Sequence, residues 1–109
     1  MNMKEYQAAA RRTMQADNMD GNQLLTMGVM GLCGEAAEVI DLVKKATFQG
    51  HHTNRTKMAE ELGDVLWYVA ACCEAIDVDL DIVALMNIEK LKKRYPAGFE
   101  AMRSMEREG

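Results

Sequence analysis

A single proline, Pro96, leaves almost the whole chain free to be helical, and nowhere do β-branched residues alternate with polar ones. Both absences argue against a sheet and for an all-α domain. Cysteine is scarce too. Cys33, Cys72 and Cys73 form neither a CxxC pair nor an even framework, and their neighbours are apolar. They read as buried, reduced thiols of a cytoplasmic protein. The two histidines, His51 and His52, are adjacent in a polar stretch with no third ligand nearby, so they read as loop residues rather than ligands. No apolar run reaches the roughly 18 residues of a membrane span, and "MNMKEYQAAARR" lacks the apolar centre of a signal peptide. Positive charge is not in excess either. A net charge of −4 does not suit a nucleic acid polymer. A single nucleotide stays open, because a bound cation can reverse the local sign.

What remains is an ordinary globular composition, 49% hydrophobic and 28% charged. The 109 residues are enough for one domain, spanning 1–109, and too few for two. A chain of this size hides only about two thirds of its unfolded surface, so association of copies would add core cheaply. Ten methionines suit irregular gaps in such a core.

Turn and cap signals divide the chain into helices. "KEYQAAARRTMQ" gives a first helix from about residue 3 to 15, broken by "DNMDG". Asp20 or Asn22 can cap a second that runs to about Ala46. Asn54 can cap a third, to about Ala75, and Asp79 a fourth, to Arg94, where "YPAG" stops it. A short helix is expected in "FEAMRSME". Gly28, Gly31 and Gly34 lower helix propensity and point to close helix–helix approach. The expected architecture is a compact helical bundle.

Residues three and four apart share a helix face, since each residue turns the helix by about 100°. In the second helix Leu24, Gly28, Gly31, Glu35, Glu38, Leu42 and Ala46 form one such stripe. In the third, Met58, Glu61, Asp64, Val65, Tyr68, Cys72 and Ala75 form another, while Glu60 points away. An ExxE taken singly is usually a solvated face. Two acid pairs on two apolar seams are different, because antiparallel packing would bring them together. At about 4 Å two carboxylates repel by roughly 4 kcal/mol at an effective dielectric of 20, and desolvation adds several kcal/mol per ion. A cation must sit between them. Oxygen ligands without histidine or cysteine suit a hard ion, Mg²⁺ first and Mn²⁺ second, whose remaining positions usually receive substrate phosphates.

The fourth helix offers the complementary charge. Leu80, Val83, Asn87, Lys90, Leu91 and Arg94 share a face, apolar at first and then basic. Lys90 and Arg94 can reach phosphate oxygens, or can simply be favourable cations at a helix C-terminus. Lys45, one turn past the acids, is a further phosphate candidate. Tyr68, one turn beyond Asp64, can brace a carboxylate, meet substrate or pack in the core. Trp67 reads as core or subunit contact, and Tyr6 and Arg12 of the first helix are candidates to cover a nucleotide.

"GEAAEV", "EELGDVLWYVA" and "NIEKLKKRYPAGF" together resemble the MazG-like branch of the all-α nucleoside triphosphate pyrophosphohydrolases, over most of the chain from about Tyr6 to Phe99. The hallmark of that family, ExxE followed after a gap by ExxD, is matched by Glu35, Glu38, Glu61 and Asp64. The resemblance implies a four-helix core in a homodimer or homotetramer, and Mg²⁺-dependent hydrolysis of a (deoxy)nucleoside triphosphate to the monophosphate and pyrophosphate. It further implies that the four acids hold metal, that Lys90 and Arg94 grip phosphates, and that Asn87 and Tyr68 line the nucleotide pocket. Unlike the two-domain members, this chain has one such unit, too short for a dedicated base-recognition domain. Two rival readings stay open: a phosphoribosyl-ATP pyrophosphohydrolase, and a non-catalytic helical interaction module.

Overall fold

The structure is a computed structural model that describes residues 1–48 and 54–97. The expected helix in "FEAMRSME" and the loop histidines His51 and His52 lie outside the described residues. Within them the chain forms four α-helices and no β-strand: α1 (Met3–Arg11), α2 (Gly21–Phe48), α3 (Arg55–Ala75) and α4 (Leu80–Arg94). None is long and apolar enough to cross a membrane.

Helix α1 starts at a capping box, in which the Asn2 side chain accepts from the Glu5 N–H and Glu5 reaches back. It ends sooner than the pattern suggests. Thr13 and Met14 donate to the carbonyls of Ala10 and Arg11, three residues back, and Gln15 then takes a left-handed backbone, φ 54°, that no helix can continue. The tightened turn drives Met14 into the core, where it is 2% exposed. A single 3₁₀ turn, Ala16–Asn18, leads into α2. There Asp20 and Gln23 form a second reciprocal cap, at 2.9 and 2.8 Å. Asn54 caps α3 as expected, accepting from the Lys57 N–H at 3.0 Å.

Helices α2 and α3 run antiparallel along one seam: Gly21 faces Ala75, Gly28 faces Cys72 and Gly31 faces Tyr68. The approach is close at two of these points. A Cβ on Gly28 would lie 2.8 Å from Cys72 Sγ, and one on Gly31 would overlap the Tyr68 ring. Gly34, by contrast, has open space beside it and is not needed for close approach. Cys73 is buried and Cys72 half-buried, but Cys33 is exposed on the outer side of α2, contrary to the expectation of three buried thiols.

The core lies where α1, the second half of α3 and the start of α4 meet, among Ala10, Met14, Ala70, Ala71, Cys73 and Leu80. Gln7, 3% exposed, is the polar pin of this junction. Its amide donates to Glu74 Oε1 at 2.9 Å and to the Val78 carbonyl at 3.4 Å, and its oxygen accepts the Leu80 N–H at 2.7 Å. Asp79 stands at the N-cap of α4 but makes no side-chain cap bond. The first amide of α4 is satisfied from α1 instead, by Gln7.

Beyond this junction α4 leaves Ile82, Leu85, Met86, Ile88 and Leu91 exposed, as α2 and α3 leave Ile40, Val43, Leu62 and Leu66. The radius of gyration, 17.2 Å, exceeds the roughly 13 Å of a compact domain of this length. Replacing Gln7 with Leu should strand the Leu80 N–H and cost about 2 kcal/mol, lowering the melting temperature by roughly 10 °C. Differential scanning calorimetry checks this, and an unchanged melting temperature would show that the pin carries no stability.

Candidate active site

The antiparallel seam continues from the glycines to the acids. One turn beyond the Gly31–Tyr68 contact, Glu35 of α2 meets Glu61 and Asp64 of α3. One carboxylate oxygen from each lies within 4.8 Å of the other two. Glu61 is buried, Glu35 half-buried and Asp64 exposed, so the group opens to solvent at one side. Glu38, placed on the same stripe by its spacing, is exposed and outside the three. It lies one turn further along α2 and adds its charge to that felt by Glu35.

The electrostatics show what this crowding does. The Glu35 carboxyl is pushed above its ordinary value, first by loss of water around it, then by a hydrogen bond with Glu61 and by the charges of Asp64, Glu61 and Glu38. Lys57, one turn before Glu61, relieves part of the repulsion with its Nζ 3.1 Å from Glu61 Oε1. The hydrogen bond and charge of Glu61 hold this ammonium above its usual value, with Glu60 and Asp64 adding to the effect.

Three carboxylates with their oxygens this close fit a small hard cation, which would offset their mutual repulsion. Beside them opens a cleft of about 360 Å³ lined by Thr13, Glu35, Asp64, Trp67 and Tyr68. Trp67 Nε1 donates to Thr13 Oγ1 at 2.9 Å, which ties the end of α1 over α3. Trp67 and Tyr68 meet edge to face, centroids 4.9 Å apart. Tyr68 is also a wall of a wider cleft of about 760 Å³, shared with Asp20, Asn22, Gln23, Thr26, Met27, Met30 and Gly31. The Tyr6 phenol is raised by burial and then by the charge of Asp64, which places Tyr6 within electrostatic range of that carboxylate. Arg12 does not share this side. It lines a groove of about 860 Å³ along α1 that contains none of the clustered acids.

The basic residues singled out from the sequence stand elsewhere in the single chain. Lys45 pairs with Asp41 at 3.0 Å. Lys90 and Arg94 line a separate cleft with Leu85, Met86, Glu89 and Lys93, in which none of the acids takes part. Asn87 is exposed on α4 and lines neither this cleft nor those beside the acids. Sequence reasoning missed Lys57 and Thr13. The first carries a legible signal, its spacing of four from Glu61; the second reaches the site only through the packing of α1 on α3.

A carboxyl raised in the folded state binds its proton more tightly there than in the unfolded chain. The stability this confers is present below the ordinary glutamate range and is lost as pH rises through the raised Glu35 value. With EDTA present, the melting temperature should therefore fall as pH rises across that window, and Glu35→Gln should flatten the fall. Thermal melts over a pH series read this directly. Coincident profiles for the two proteins would contradict it.

Comparison with known proteins bears on this geometry. The family model described as "MazG nucleotide pyrophosphohydrolase domain" matches residues 24–99. The "Gene 37 protein" of Mycobacterium phage L5 is 37% identical over 105 residues, covering 90% of this chain and 92% of the phage protein. Its name states no activity. No solved structure matches. The family match takes in Gly28 and Gly31 of the seam, all four acids and the basic end of α4, and the chain belongs to the MazG nucleotide pyrophosphohydrolase family.

Proposed function

We propose that this protein hydrolyses a (deoxy)nucleoside triphosphate to the monophosphate and pyrophosphate, with Mg²⁺ as its ion and Mn²⁺ as a substitute. The observation that carries this reading is the convergence of Glu35, Glu61 and Asp64 from two helices onto one point. These three would hold the ion, and Glu38 supplies a fourth carboxylate from the next turn. Bound there, the ion supplies Lewis acidity toward phosphate oxygens and a water of lowered pKa. A carboxylate of the set takes the proton of the attacking water. Attack at the α-phosphorus breaks the α–β anhydride, and pyrophosphate leaves with the electron pair.

The nucleoside fits beside Tyr68, whose ring faces both the acid-lined cleft and the wider one of about 760 Å³. Thr13 and Tyr6, carried by α1, close the near side. The exposed apolar faces of α4, α2 and α3 support self-association to a homodimer or homotetramer, which would complete the four-helix core. The same assembly would bring the basic end of α4, with Lys90 and Arg94, toward the acids of a second copy.

Pyrophosphate release should be Mg²⁺-dependent for at least one member of a panel holding the four common dNTPs, dUTP and an oxidised dGTP, whereas turnover of phosphoribosyl-ATP alone would favour the rival enzyme. Glu61→Gln should lower the turnover of that substrate by about a thousandfold, since several kcal/mol of transition-state stabilisation depend on the ion. A panel without turnover, or a variant that turns over at the wild-type rate, would overturn the reading.

A further inference from the structure

Trp67 touches two walls of the cleft beside the acids, Tyr68 and Thr13. It stands three residues after Asp64, and Tyr68 stands four, so all three fall on one side of α3. The indole meets the Tyr68 ring at an interplanar angle of 85°, and that ring also packs on Gly31. The Thr13 hydroxyl gives its own proton to the Ala10 carbonyl at 2.9 Å, so its oxygen faces the Trp67 N–H purely as an acceptor. The turn that carries Thr13 lies past the last residue of α1 and ends where Gln15 becomes left-handed. Met14 roots this turn in the core, whereas Thr13 beside it is exposed and is joined to α3 by the indole.

We propose that Trp67 is a positioning residue for the nucleotide, whose N–H holds the turn after α1 beside the acid-lined cleft while its ring sets that of Tyr68 against Gly31. The proposal rests on the reading above, in which the nucleoside lies beside Tyr68. A hydrogen bond open to solvent adds little to folding. It does more for binding, because a wall already in place need not be ordered when the nucleotide arrives. Without the bond the turn holds its binding position in a smaller fraction of molecules, and apparent affinity falls by that fraction. Once nucleotide is bound the turn is back in place, and the chemical step proceeds as before. The metal site is spared as well, since Glu35, Glu61 and Asp64 are carried by α2 and α3 rather than by this turn.

Trp67→Phe keeps a ring beside Tyr68 and removes the N–H, and Thr13→Val keeps the side-chain shape and removes the acceptor. With Mg²⁺ and a nucleotide that the wild type hydrolyses, each should raise KM about fivefold and leave kcat nearly unchanged. The double variant should be no worse than either alone, because both remove the same bond. Thr13→Ser restores the hydroxyl and should recover most of the loss. The chain has no other tryptophan, so its emission reports the bond, and should shift in Thr13→Val and return in Thr13→Ser. Calorimetric titration with Mn²⁺ alone should give the wild-type affinity throughout, a readout that a general loosening of the fold would move. An unchanged KM or emission in Thr13→Val, losses that add in the double variant, or a fall of kcat or Mn²⁺ affinity alongside the rise in KM would overturn the proposal. Should Trp67→Phe fail to fold, the two Thr13 variants decide it. Wild type that binds a nucleotide with Mg²⁺ but releases no pyrophosphate would sink the hydrolase reading instead, and the Kd of that nucleotide then takes the place of KM. Wild type that binds no nucleotide would overturn both.

Discussion

The close approach of α2 and α3 along one antiparallel seam sets everything that follows in this molecule. Gly28 and Gly31 remove the side chains that would hold the two helices apart, and Cys72 and Tyr68 fill the space. Carried one turn further, the same proximity forces Glu35 onto Glu61 and Asp64. Helices a few ångströms further apart would leave three ordinary surface carboxylates. Packed as they are, they crowd one another, borrow a lysine and hold the Glu35 carboxyl above its usual value. Packing thus sets like charges against one another, and a divalent ion bound there would relieve that repulsion.

The rest of the fold holds a roof over this point. Helix α1 is fastened at its middle by Gln7, which also caps α4, and at its last residue by the Arg11–Glu74 ion pair at 2.6 Å. Just past that end, the hydrogen bond from Trp67 to Thr13 ties the following turn to α3. The small buried core serves the junction of α1, α3 and α4 rather than the seam with the acids. Stability and chemistry therefore sit at different ends of α3. A substitution at Gln7 and one at Glu61 should act through separate routes, one on folding and the other on the ion.

Much of this was legible in the residues. Four helices, their caps at Asn54 and near Asp20, and the pairing of Glu35 with Glu61 and Asp64 all follow from local periodicity and capping chemistry. What the residues could not show depends on contacts between distant segments. Gln7 replaces Asp79 as the donor-satisfying cap of α4 because α1 happens to pack there. The early end of α1 follows from the demand of the core for Met14, which no propensity scale contains. Glu38 shares a stripe with Glu35 on a helical projection, but its oxygens are not among the three that meet. Lys90, Arg94 and Asn87 share a face of α4, yet a shared face does not say which surface that helix will cover.

The central claim is that three acids brought together by a glycine seam form one divalent-cation site. Anomalous diffraction from crystals grown with Mn²⁺ tests it most directly. The account predicts a peak within coordination distance of Glu35, Glu61 and Asp64. Density that shows those carboxylates still hydrogen-bonded to one another, with manganese elsewhere or nowhere, would contradict it.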